Sequence, residues 1–561
     1  MAETLISPGV LAREQDQSQI TARPVQAGAA IIGPTVLGPV ERPTLVTSYS
    51  EYIATFGGAF TSGSDEFSYF TSISAFNYFQ GGGNSLLVTR VVTGSYSPAT
   101  SSFISSSDAN VTAGKEPFVL ETIGSGEIMN STSTETTKGA LVSGSSNNVR
   151  WEITTPDTSS GTFTLLVRRG DDNTKSKRVL ESYTNLSLDP KSSGYIARVI
   201  GDQTTELKGS QTAEPYLQVT GNFPNASRYI RVKSVDLKTP DYLDNDGVAK
   251  DIYTGSIPIA GQGTFGDAEG GLKGGAKYYD NIEADNTQGL DPGCYTDAIN
   301  LLANKDDFNY NIITAPGLIY SDDSSALNLI MDNTSNRGDA IVIADMVYWG
   351  NTIKGVIGQA ASIDSSYTST YWPWCQISDP STGQLAWVPA STLMPGVYAA
   401  NDAAAETWFA PAGINRGGLG VVRRAERKLT QSNRDELYVG KVNPIATFPG
   451  RGVVVFGQKT LQTKASALDR VNVRRLLISL KSFITQVADN LVFEQNTAAT
   501  RNNFLGQVNP FLESVQQRQG LFAFKVIMDD SNNTPDVIDR NELIGQIFVQ
   551  PTKTAEFIYL D

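Results

Sequence analysis

The stretch VNPIATFPGRGVVVFGQKTL, residues 442–461, decides the fold of the chain. Turn residues occur in it twice, at Asn443-Pro444 and at Phe448-Pro449-Gly450, and an apolar run at 453–457 follows. That run does not alternate in polarity and is rich in β-branched valine, which is typical of a strand buried on both faces. Proline presets φ and glycine readily adopts positive φ, so the turns should fix where the strand starts. The stretch therefore predicts a buried strand, and a basic segment that favours helix follows it directly.

Length and composition indicate a globular protein of several domains. A chain of 561 residues exceeds one hydrophobic core and should hold roughly three to four domains. The net charge of −14 argues against a general nucleic-acid or membrane-surface binder. Between residues 421 and 480, however, twelve basic residues face only four acidic ones. This positive segment needs an acidic neighbour, either within the fold or on a partner.

Histidine is absent from the sequence, which lowers the expectation of an enzyme. Without histidine, Ser-His-Asp and Cys-His catalysis and most zinc sites are excluded, although carboxylate or lysine catalysis stays open. Cys294 and Cys375 show no paired or metal-binding spacing, so incidental thiols in a reduced compartment are expected. No apolar run is long enough to span a membrane, and the first residues lack the apolar core of a signal peptide.

Changes in pattern along the chain predict a multidomain α/β and α+β protein. Residues 1–24 read as an extended arm, either a frayed terminus or a strand given to a neighbour. Residues 25–94 and 291–407 alternate helix and strand, which predicts one middle α/β domain with parallel strands. Residues 95–290, rich in Ser, Thr and Gly, interrupt it as a β-rich peripheral insertion of one or two lobes with a thin core. An inner α+β domain is expected at 408–561.

The predicted inner domain contains helices, strands and a basic cluster. A long amphipathic helix is expected at 468–492 and another at 509–519, with Pro510 in its first turn. Strands are expected at 521–528, 542–550 and 555–559. Arg470 and Arg474 lie four residues apart and Arg475 adjoins them, so these three should share one side of the first helix, and Lys464 precedes them by about a turn and a half. A solvated helix face and a surface for an acidic partner explain this spacing equally well.

Motifs for cofactors and metals are present only as incomplete matches. Residues 261–266 spell G-x-G-x-x-G, but the glycine-rich segment after them is a poor helix, so a loop is expected there. Residues 452–460 resemble a phosphate-binding loop with one residue too many, and bulky valines fill it. Asp244, Asp246 and Gly247 imitate part of a calcium loop, although Tyr242 and Tyr253 occupy its first and last ligand positions. We expect no catalytic residues, no cofactor and no specific metal site.

Short segments along the chain resemble, in order, the landmarks of one family. They are ISPGV at 6–10, AFNYF at 75–79, GGG at 81–83, LVTRV at 87–91, ESYTNLSLDP at 181–190, WFAPAG at 408–413, RG at 416–417, LY at 437–438, VNPI at 442–445 and FGQKTL at 456–461. By their order and spacing the chain resembles the tail sheath proteins of contractile-tailed bacteriophages. Most of the insertion gives no match, so any surface function there is left open.

The resemblance implies a structural subunit of the virion tail rather than an enzyme. Such subunits polymerise as six-fold rings or a helical homopolymer around the tail tube protein, between baseplate and tail terminator proteins. The sheath contracts and drives the tube through the host envelope for genome ejection. No direct nucleic-acid contact, membrane insertion or cofactor is implied, and assembly would take place in the host bacterial cytoplasm.

The resemblance also implies roles for particular residues. Terminal strands of one subunit join the sheet of a neighbour, so backbone hydrogen bonds link the polymer. The expected strand donors are Ile6, Val10, Ile20, Phe557, Ile558, Tyr559 and Leu560. The expected acceptor strands carry Phe522, Phe524, Val526, Ile547 and Val549, and Lys464, Arg470, Arg474 and Arg475 are expected to face the tube.

Two alternatives remain at this point. One is the sheath of a phage-derived injection particle similar to an R-type pyocin, which only genome context separates from a phage sheath. The other is a nucleotide-dependent enzyme, a dehydrogenase resting on residues 261–266. Polymerisation of the purified protein into tubes or rings would favour the sheath over the enzyme.

Overall fold

A six-stranded sheet occupies the centre of the computed structural model, which describes residues 25–108, 115–210, 214–274 and 278–556. The segment before the insertion contributes three of its strands. The second helix of this segment packs into the core: Phe70 is 2% exposed and Ile73 is 1% exposed. The elements are β1 (Val25–Ala27), β2 (Ala29–Gly33), β3 (Thr44–Val46), α1 (Tyr49–Phe56), β4 (Phe60–Ser62), β5 (Asp65–Phe67), α2 (Phe70–Gln80) and β6 (Leu86–Arg90).

The insertion is built on a seven-stranded sheet with its own core. Trp151, Phe163 and Leu165 are among its buried residues, so the thin core expected from the sequence is wrong. The elements are β7 (Pro98–Ser101), β8 (Val119–Ser125), β9 (Val149–Asp157), β10 (Thr162–Arg169), β11 (Val179–Ser187), α3 (Ile196–Ile200), β12 (Thr204–Lys208), β13 (Tyr216–Thr220), β14 (Ile230–Ser234), α4 (Asp251–Thr254) and β15 (Gly261–Gly266). Strands β12 and β13 form a separate hairpin.

The glycine-rich motif at 261–266 is a strand, which corrects the predicted loop. Strand β15 pairs antiparallel with β9 and β7, so its backbone groups bond within the sheet instead of cradling a phosphate. A Cβ atom at Gly263 would lie 2.4 Å from the Trp151 ring, and close packing therefore requires glycine there.

Helix and strand alternate again after the insertion, and three of these strands complete the central sheet. Its order is β19-β18-β17-β2-β6-β3, and every pair is parallel except β3 with β6. The elements of this segment are α5 (Tyr295–Leu301), β16 (Phe308–Tyr310), β17 (Ile312–Ile319), α6 (Tyr320–Arg337), β18 (Ile341–Asp345), α7 (Ile353–Ala361), β19 (Thr368–Ser369), β20 (Tyr371–Trp372), β21 (Cys375–Ser378), β22 (Leu385–Val388), α8 (Met394–Ala404), β23 (Val422–Ala425), α9 (Gln431–Val439), β24 (Asn443–Phe448) and β25 (Gly452–Val455).

The central sheet has a hydrophobic core on each face. Ile31 of β2 lies in one core, whereas its neighbours Ala30 and Ile32 lie in the other. Every residue of β17 and β18 is buried. Parallel strands covered on both faces explain why the sequence shows continuous apolar runs here rather than alternation.

The deciding stretch at 442–461 forms the hairpin β24–β25. The second predicted turn is present, with Gly450 at φ 72° and Gly452 at φ 74°. Val453, Val454 and Val455 are buried, which confirms the strand, but Phe456 is 43% exposed. The first predicted turn is wrong, because Asn443 begins β24 and pairs in parallel with Tyr371.

This hairpin belongs to the middle of the molecule, which corrects the predicted boundary between residues 407 and 408. Ile445 and Val455 lie in the same hydrophobic core as Ile31 of the central sheet. The buried side chain of Asn443 donates to the carbonyl oxygens of Thr370 (3.0 Å) and Lys459 (2.8 Å), and it ties the hairpin to the neighbouring chain. Leu461, at the end of the stretch, packs in the core on the opposite face.

The C-terminal region packs two helices against a small sheet. Its elements are α10 (Val471–Asp489), α11 (Ala498–Gln517), β26 (Leu521–Ile527), α12 (Pro535–Asp539) and β27 (Gln546–Pro551). Helix α11 starts at the Thr497 cap, so Pro510 lies inside the helix and not in its first turn. A buried stripe packs α11 against α10 and continues on both sides of this proline; it consists of Phe504, Val508, Leu512 and Val515.

Candidate functional site

A sheet of only two strands lies at the C-terminal end of the molecule. Strands β26 and β27 pair antiparallel, with Phe524 opposite Val549 and Val526 opposite Ile547. These four predicted acceptor residues are partly buried against the α10–α11 core. The fifth, Phe522, is 69% exposed, because the pairing slips between Leu521 and Ala523.

The outer edges of the β26–β27 sheet are open among the described residues. Neither strand has a second strand partner there. Phe522 and Phe548, at 69% and 56% exposed, add apolar surface beside these edges. Unpaired backbone groups next to apolar side chains suit the addition of another strand.

The predicted strand donors lie outside the described residues. This applies to Ile6, Val10 and Ile20 of the arm and to Phe557, Ile558, Tyr559 and Leu560 at the C-terminus. Residues 552–556, which precede the second group, leave the sheet without forming a strand. Thr552 holds the start of this segment in place, since its hydroxyl donates to the carbonyl oxygen of Gln519 at 2.6 Å.

Glu556 ends this segment in a cluster that sequence spacing could not predict, here named the Glu556 cluster. Its carboxylate accepts from Arg470 Nε at 2.8 Å, from the Tyr438 hydroxyl at 2.7 Å and from Gln458 Nε2 at 3.1 Å. The Gln458 amide also donates to the Thr554 hydroxyl at 2.8 Å. The cluster therefore ties the end of the chain to α9, to the segment after β25 and to the start of α10.

The Glu556 cluster is charged despite its partial burial. Burial raises the pKa of Glu556, but hydrogen bonds from Arg470 and Tyr438 outweigh it, so the pKa of Glu556 lies below its ordinary value. For Arg470, burial lowers the pKa, but the hydrogen bond to Glu556 and the charges of Glu556 and Asp469 together raise it above its ordinary value. Lys459 lies 4.3 Å from the centre of the Tyr438 ring and adds positive charge beside the carboxylate.

The predicted exposed basic side of α10 is wrong for Arg474 and Arg475, which are 5% and 4% exposed. Arg475 donates to Asp402 Oδ1 at 2.8 Å, and this attraction raises the pKa of Arg475 in spite of burial, which lowers it. The Arg474 guanidinium lies 4.0 Å from the centre of the Tyr367 ring. Both side chains serve packing within the subunit, because the helix turns them toward the central core.

Lys464 and Arg470 remain nearer to solvent. Lys464 is exposed, and Arg470 is partly exposed with ion pairs to Asp469 (3.0 Å) and Glu556 (2.8 Å). The positive segment at 421–480 therefore has acidic neighbours within the fold, and two of them are Asp402 and Glu556.

A groove of about 1030 Å³ adjoins the Glu556 cluster. We call it the aromatic groove. Its lining includes Phe409, Arg416, Arg434, Tyr438, Phe456 and Glu556. Arg434 stacks over the rings of Phe448 and Phe456 at 5.3 and 5.8 Å, and Arg416 stacks over Phe409 at 5.1 Å. The groove thus combines apolar rings with two cationic groups.

Among the described residues, no group of three or more potential metal-ligating side chains comes together, and no helix there is long and apolar enough to cross a membrane. Cys294 and Cys375 are not bonded to each other. Burial raises the pKa of the Cys375 thiol, which keeps it protonated and unreactive.

Comparisons with known proteins match the C-terminal half of the chain. Residues 295–461 match the phage tail sheath protein central domain, and residues 463–561 match the phage tail sheath C-terminal domain. The tail sheath protein of Vibrio phage KVP40 is 35% identical over 237 residues, which are 40% of this chain and 34% of the relative. That of Enterobacteria phage T4 is 32% identical over 219 residues, which are 39% and 33%. The match thus spans about a third of the length of each relative.

A solved structure extends the likeness of fold over most of the chain. The sheath tail protein of Listeria innocua superimposes with a TM-score of 0.52 at 9% identity, covering 94% of this chain and 96% of that one. The two matched domains meet near residue 462, directly after the deciding hairpin stretch, where the structure also changes from the central cores to the α10–α11 core. Residues 295–461 and 463–561 are therefore the central and C-terminal domains of the phage tail sheath family.

Proposed function

We propose that this protein is the subunit of a contractile tail sheath, which polymerises around the tail tube and contracts to drive the tube through the host envelope. The observation that carries this proposal is the two-stranded β26–β27 sheet, which lies in the part that matches the sheath C-terminal domain and has open edges among the described residues. A sheet of two strands is marginal alone, so strands from neighbouring subunits would complete it.

We divide the subunit into three bodies for this function. The C-terminal body, from residue 463 onward, would form the inner wall and hold neighbours together. The middle body around the central sheet would act as a rigid block, and the insertion at 95–290 would lie on the outside. Contraction would then be a change between two packings of rigid blocks joined by donated strands, which requires no catalytic site.

The partners follow from this arrangement. The subunit would assemble with copies of itself as six-fold rings or a helical polymer, in the host bacterial cytoplasm, and reside in the virion tail. Lys464, exposed just before α10, would face an acidic tail tube, with Arg470 beside it. The ends of the polymer would contact baseplate and tail terminator proteins. A phage-derived injection particle is the alternative, and relatives encoded by two phages favour the phage tail.

Removal of residues 557–561 tests the proposal. We expect the truncated protein to remain a folded monomer, because the described cores do not include these residues, and to form no tubes or rings. Negative-stain microscopy of the full-length and truncated chains at matched concentrations measures polymerisation, and circular dichroism checks folding. Tubes formed by the truncated chain would overturn strand donation from this end.

A further inference from the structure

The small sheet β22-β21-β23 has one covered face and one open face. The inner face is buried in a core of the central sheet, with Cys375, Ile377 and Val388 at most 2% exposed. On the outer face, Leu385 of β22 is 59% exposed, and Trp387, two residues along the same strand, is half-buried. Apolar side chains that lie together on an open surface mark a contact site, whereas isolated ones do not.

The outer face of this sheet also carries positive charge. Arg424 of β23 stacks over the Trp387 ring at 5.2 Å and donates to Gln376 Oε1 at 2.8 Å. Three further exposed cations adjoin it in the chain: Arg423, Arg427 and Lys428. None of these four cations forms an ion pair within the part of the chain that the structure describes. We define the basic face as Leu385, Trp387, Arg423, Arg424, Arg427 and Lys428.

The subunit does not neutralise the basic face as it neutralises the cations of α10. Glu426, the acidic residue in the run 423–428, is engaged elsewhere, because its carboxylate accepts from the backbone amide of Gly350 at 2.7 Å. Asp402 and Glu556 pair with Arg475 and Arg470. The part of the positive segment that still lacks an acidic neighbour is therefore the basic face, and such a face attracts an acidic surface of another molecule.

A loop of the insertion at 243–252 has the complementary character. Its exposed apolar side chains are Leu243, Val248 and Ile252, at 41%, 61% and 73%. Its exposed carboxylates are Asp244, Asp246 and Asp251. Among the described residues, these carboxylates form no ion pair, whereas the preceding Asp241 is paired with Lys191. We call this segment the acidic loop.

Hydrogen bonds hold the acidic loop in one shape. The Asp244 carboxylate accepts from the backbone amides of Asp246 and Val248, each at 2.9 Å, so the sequence that imitates a calcium loop forms a turn. Next to the loop, the Tyr242 hydroxyl donates to the carbonyl oxygen of Thr158 at 2.6 Å, which fastens the loop to the turn between β9 and β10. A loop that is already ordered loses little conformational entropy when it binds.

We propose that the acidic loop of one subunit docks on the basic face of a second copy of this chain. This inference rests on the proposed polymerisation. The loop carboxylates meet the cations of β23, and Val248 and Ile252 cover Leu385 and Trp387, so an apolar centre is surrounded by opposite charges. The chain as a whole carries −14 although its 421–480 segment is positive, so copies attract one another only in arrangements that bring acidic surface to this segment.

The contact is directional, because the loop and the face are different surfaces of the same chain. Each subunit offers one of each, and a contact between unlike surfaces continues from copy to copy as a ring or a helix. No ion pair joins the two surfaces within the described subunit. The insertion thereby gains a function in contacts between subunits, in addition to the strands that link the C-terminal bodies.

A pair of charge-reversed chains tests the contact. The face variant carries Arg423→Glu with Arg424→Glu, and the loop variant carries Asp246→Lys with Asp251→Lys. Alone, each variant should need an about tenfold higher concentration to polymerise, because like charges then meet. An equimolar mixture should polymerise near the wild-type concentration, since each negative face then finds a positive loop and each positive face a negative loop. Light scattering and negative-stain microscopy give the thresholds, and circular dichroism checks folding.

The matched control is Lys305→Glu with Lys354→Glu, which changes the net charge as the face variant does at two exposed sites outside both surfaces. We expect it to polymerise like the wild type, and a loss equal to that of the face variant would overturn the proposal. Impaired single variants that the mixture does not rescue would assign the basic face to another occupant, such as an acidic tube protein or a nucleic acid, and would overturn docking of the loop.

Failure of this contact is distinguishable from failure of the proposed function. If the wild type forms tubes or rings and both variants form them at the same concentration, polymerisation stands and the loop contact is wrong. If the wild type forms neither at any concentration, the proposed function is wrong and the contact is wrong with it.

Discussion

The central sheet and the C-terminal sheet of this protein differ in what they leave open. In the central sheet every residue of β17 and β18 is buried, and separate cores cover the two faces. In the C-terminal sheet, β27 alternates between exposed and half-buried residues, with Phe548 56% exposed, and β26 also leaves residues exposed. The central sheet is therefore complete within the subunit, whereas the C-terminal sheet is suited to pairing with strands of other subunits.

The largest expected effect comes from placing an aspartate in each of the two sheets. Ile343→Asp, at a site 1% exposed in the central sheet, should cost more than ~4 kcal/mol of unfolding free energy, because it buries an unpaired charge. Phe548→Asp, on the exposed face of the C-terminal sheet, should change it by less than about 0.5 kcal/mol. Thermal and urea unfolding of the monomers measure both. Equal losses would mean that the C-terminal sheet is as closed as the central one.

A second prediction uses pH. Asp345 ends β18 and is 4% exposed; burial raises its pKa to about 7, although the amide of Ser391 donates to it at 3.2 Å. The folded state therefore holds a proton that the unfolded state has already lost at pH 5 to 6. Stability should fall as pH rises from about 4 to about 7 and then level off.

The substitution Asp345→Asn isolates the contribution of Asp345 to the pH dependence of stability, because asparagine does not titrate. Relative to the variant, the wild type should lose ~3 kcal/mol across that window. Urea unfolding of both chains at several pH values gives the difference. A constant difference between them would show that Asp345 is ionised in the folded protein throughout.

The effect of pH on the contribution of Glu556 to stability is opposite to the effect on that of Asp345. Its folded pKa lies below the ordinary value, so its contribution is present at neutral pH and is lost as pH falls through that pKa. Acid should therefore stabilise the central sheet through Asp345 while it weakens the attachment of the chain end.

The smallest effects concern the basic residues around α10. Arg475→Leu should cost about 2 kcal/mol, because it leaves Asp402 unpaired, and the 25% exposure of that carboxylate lets water offset part of the loss. Lys464→Glu, at an exposed site, should cost less than about 0.5 kcal/mol. Chemical unfolding compares the two. A loss at Lys464 equal to that at Arg475 would contradict the distinction between buried and exposed cations.

Much of the regular structure follows from local pattern. The apolar runs at 312–315, 340–345 and 453–457 predict strands, and the structure contains a strand at each, although β25 ends at Val455. The spacing at 468–492 predicts a helix, observed as α10. Pro510 misled the prediction, because a helix starting at a good cap with a buried stripe on one face tolerates an internal proline.

The candidate site was predictable only in part. Phe524, Val526, Ile547 and Val549 alternate as a strand with one covered face should, and the structure pairs them. The Glu556 cluster was not predictable, because Glu556 lies 86 residues from Arg470 and 118 from Tyr438, and nothing local indicates either contact.

The sequence by itself determined many of the elements, the parallel character of the central sheet and the resemblance to sheath proteins, because each depends on short-range periodicity or on short motifs in order. Tertiary structure decided where the deciding hairpin belongs and which cations face water. Helical spacing places Arg470, Arg474 and Arg475 near one another, but only packing determines that Asp402 and Tyr367 meet two of them in the interior. Burial is a property of the neighbours that a residue acquires on folding, and most of those neighbours are distant in sequence.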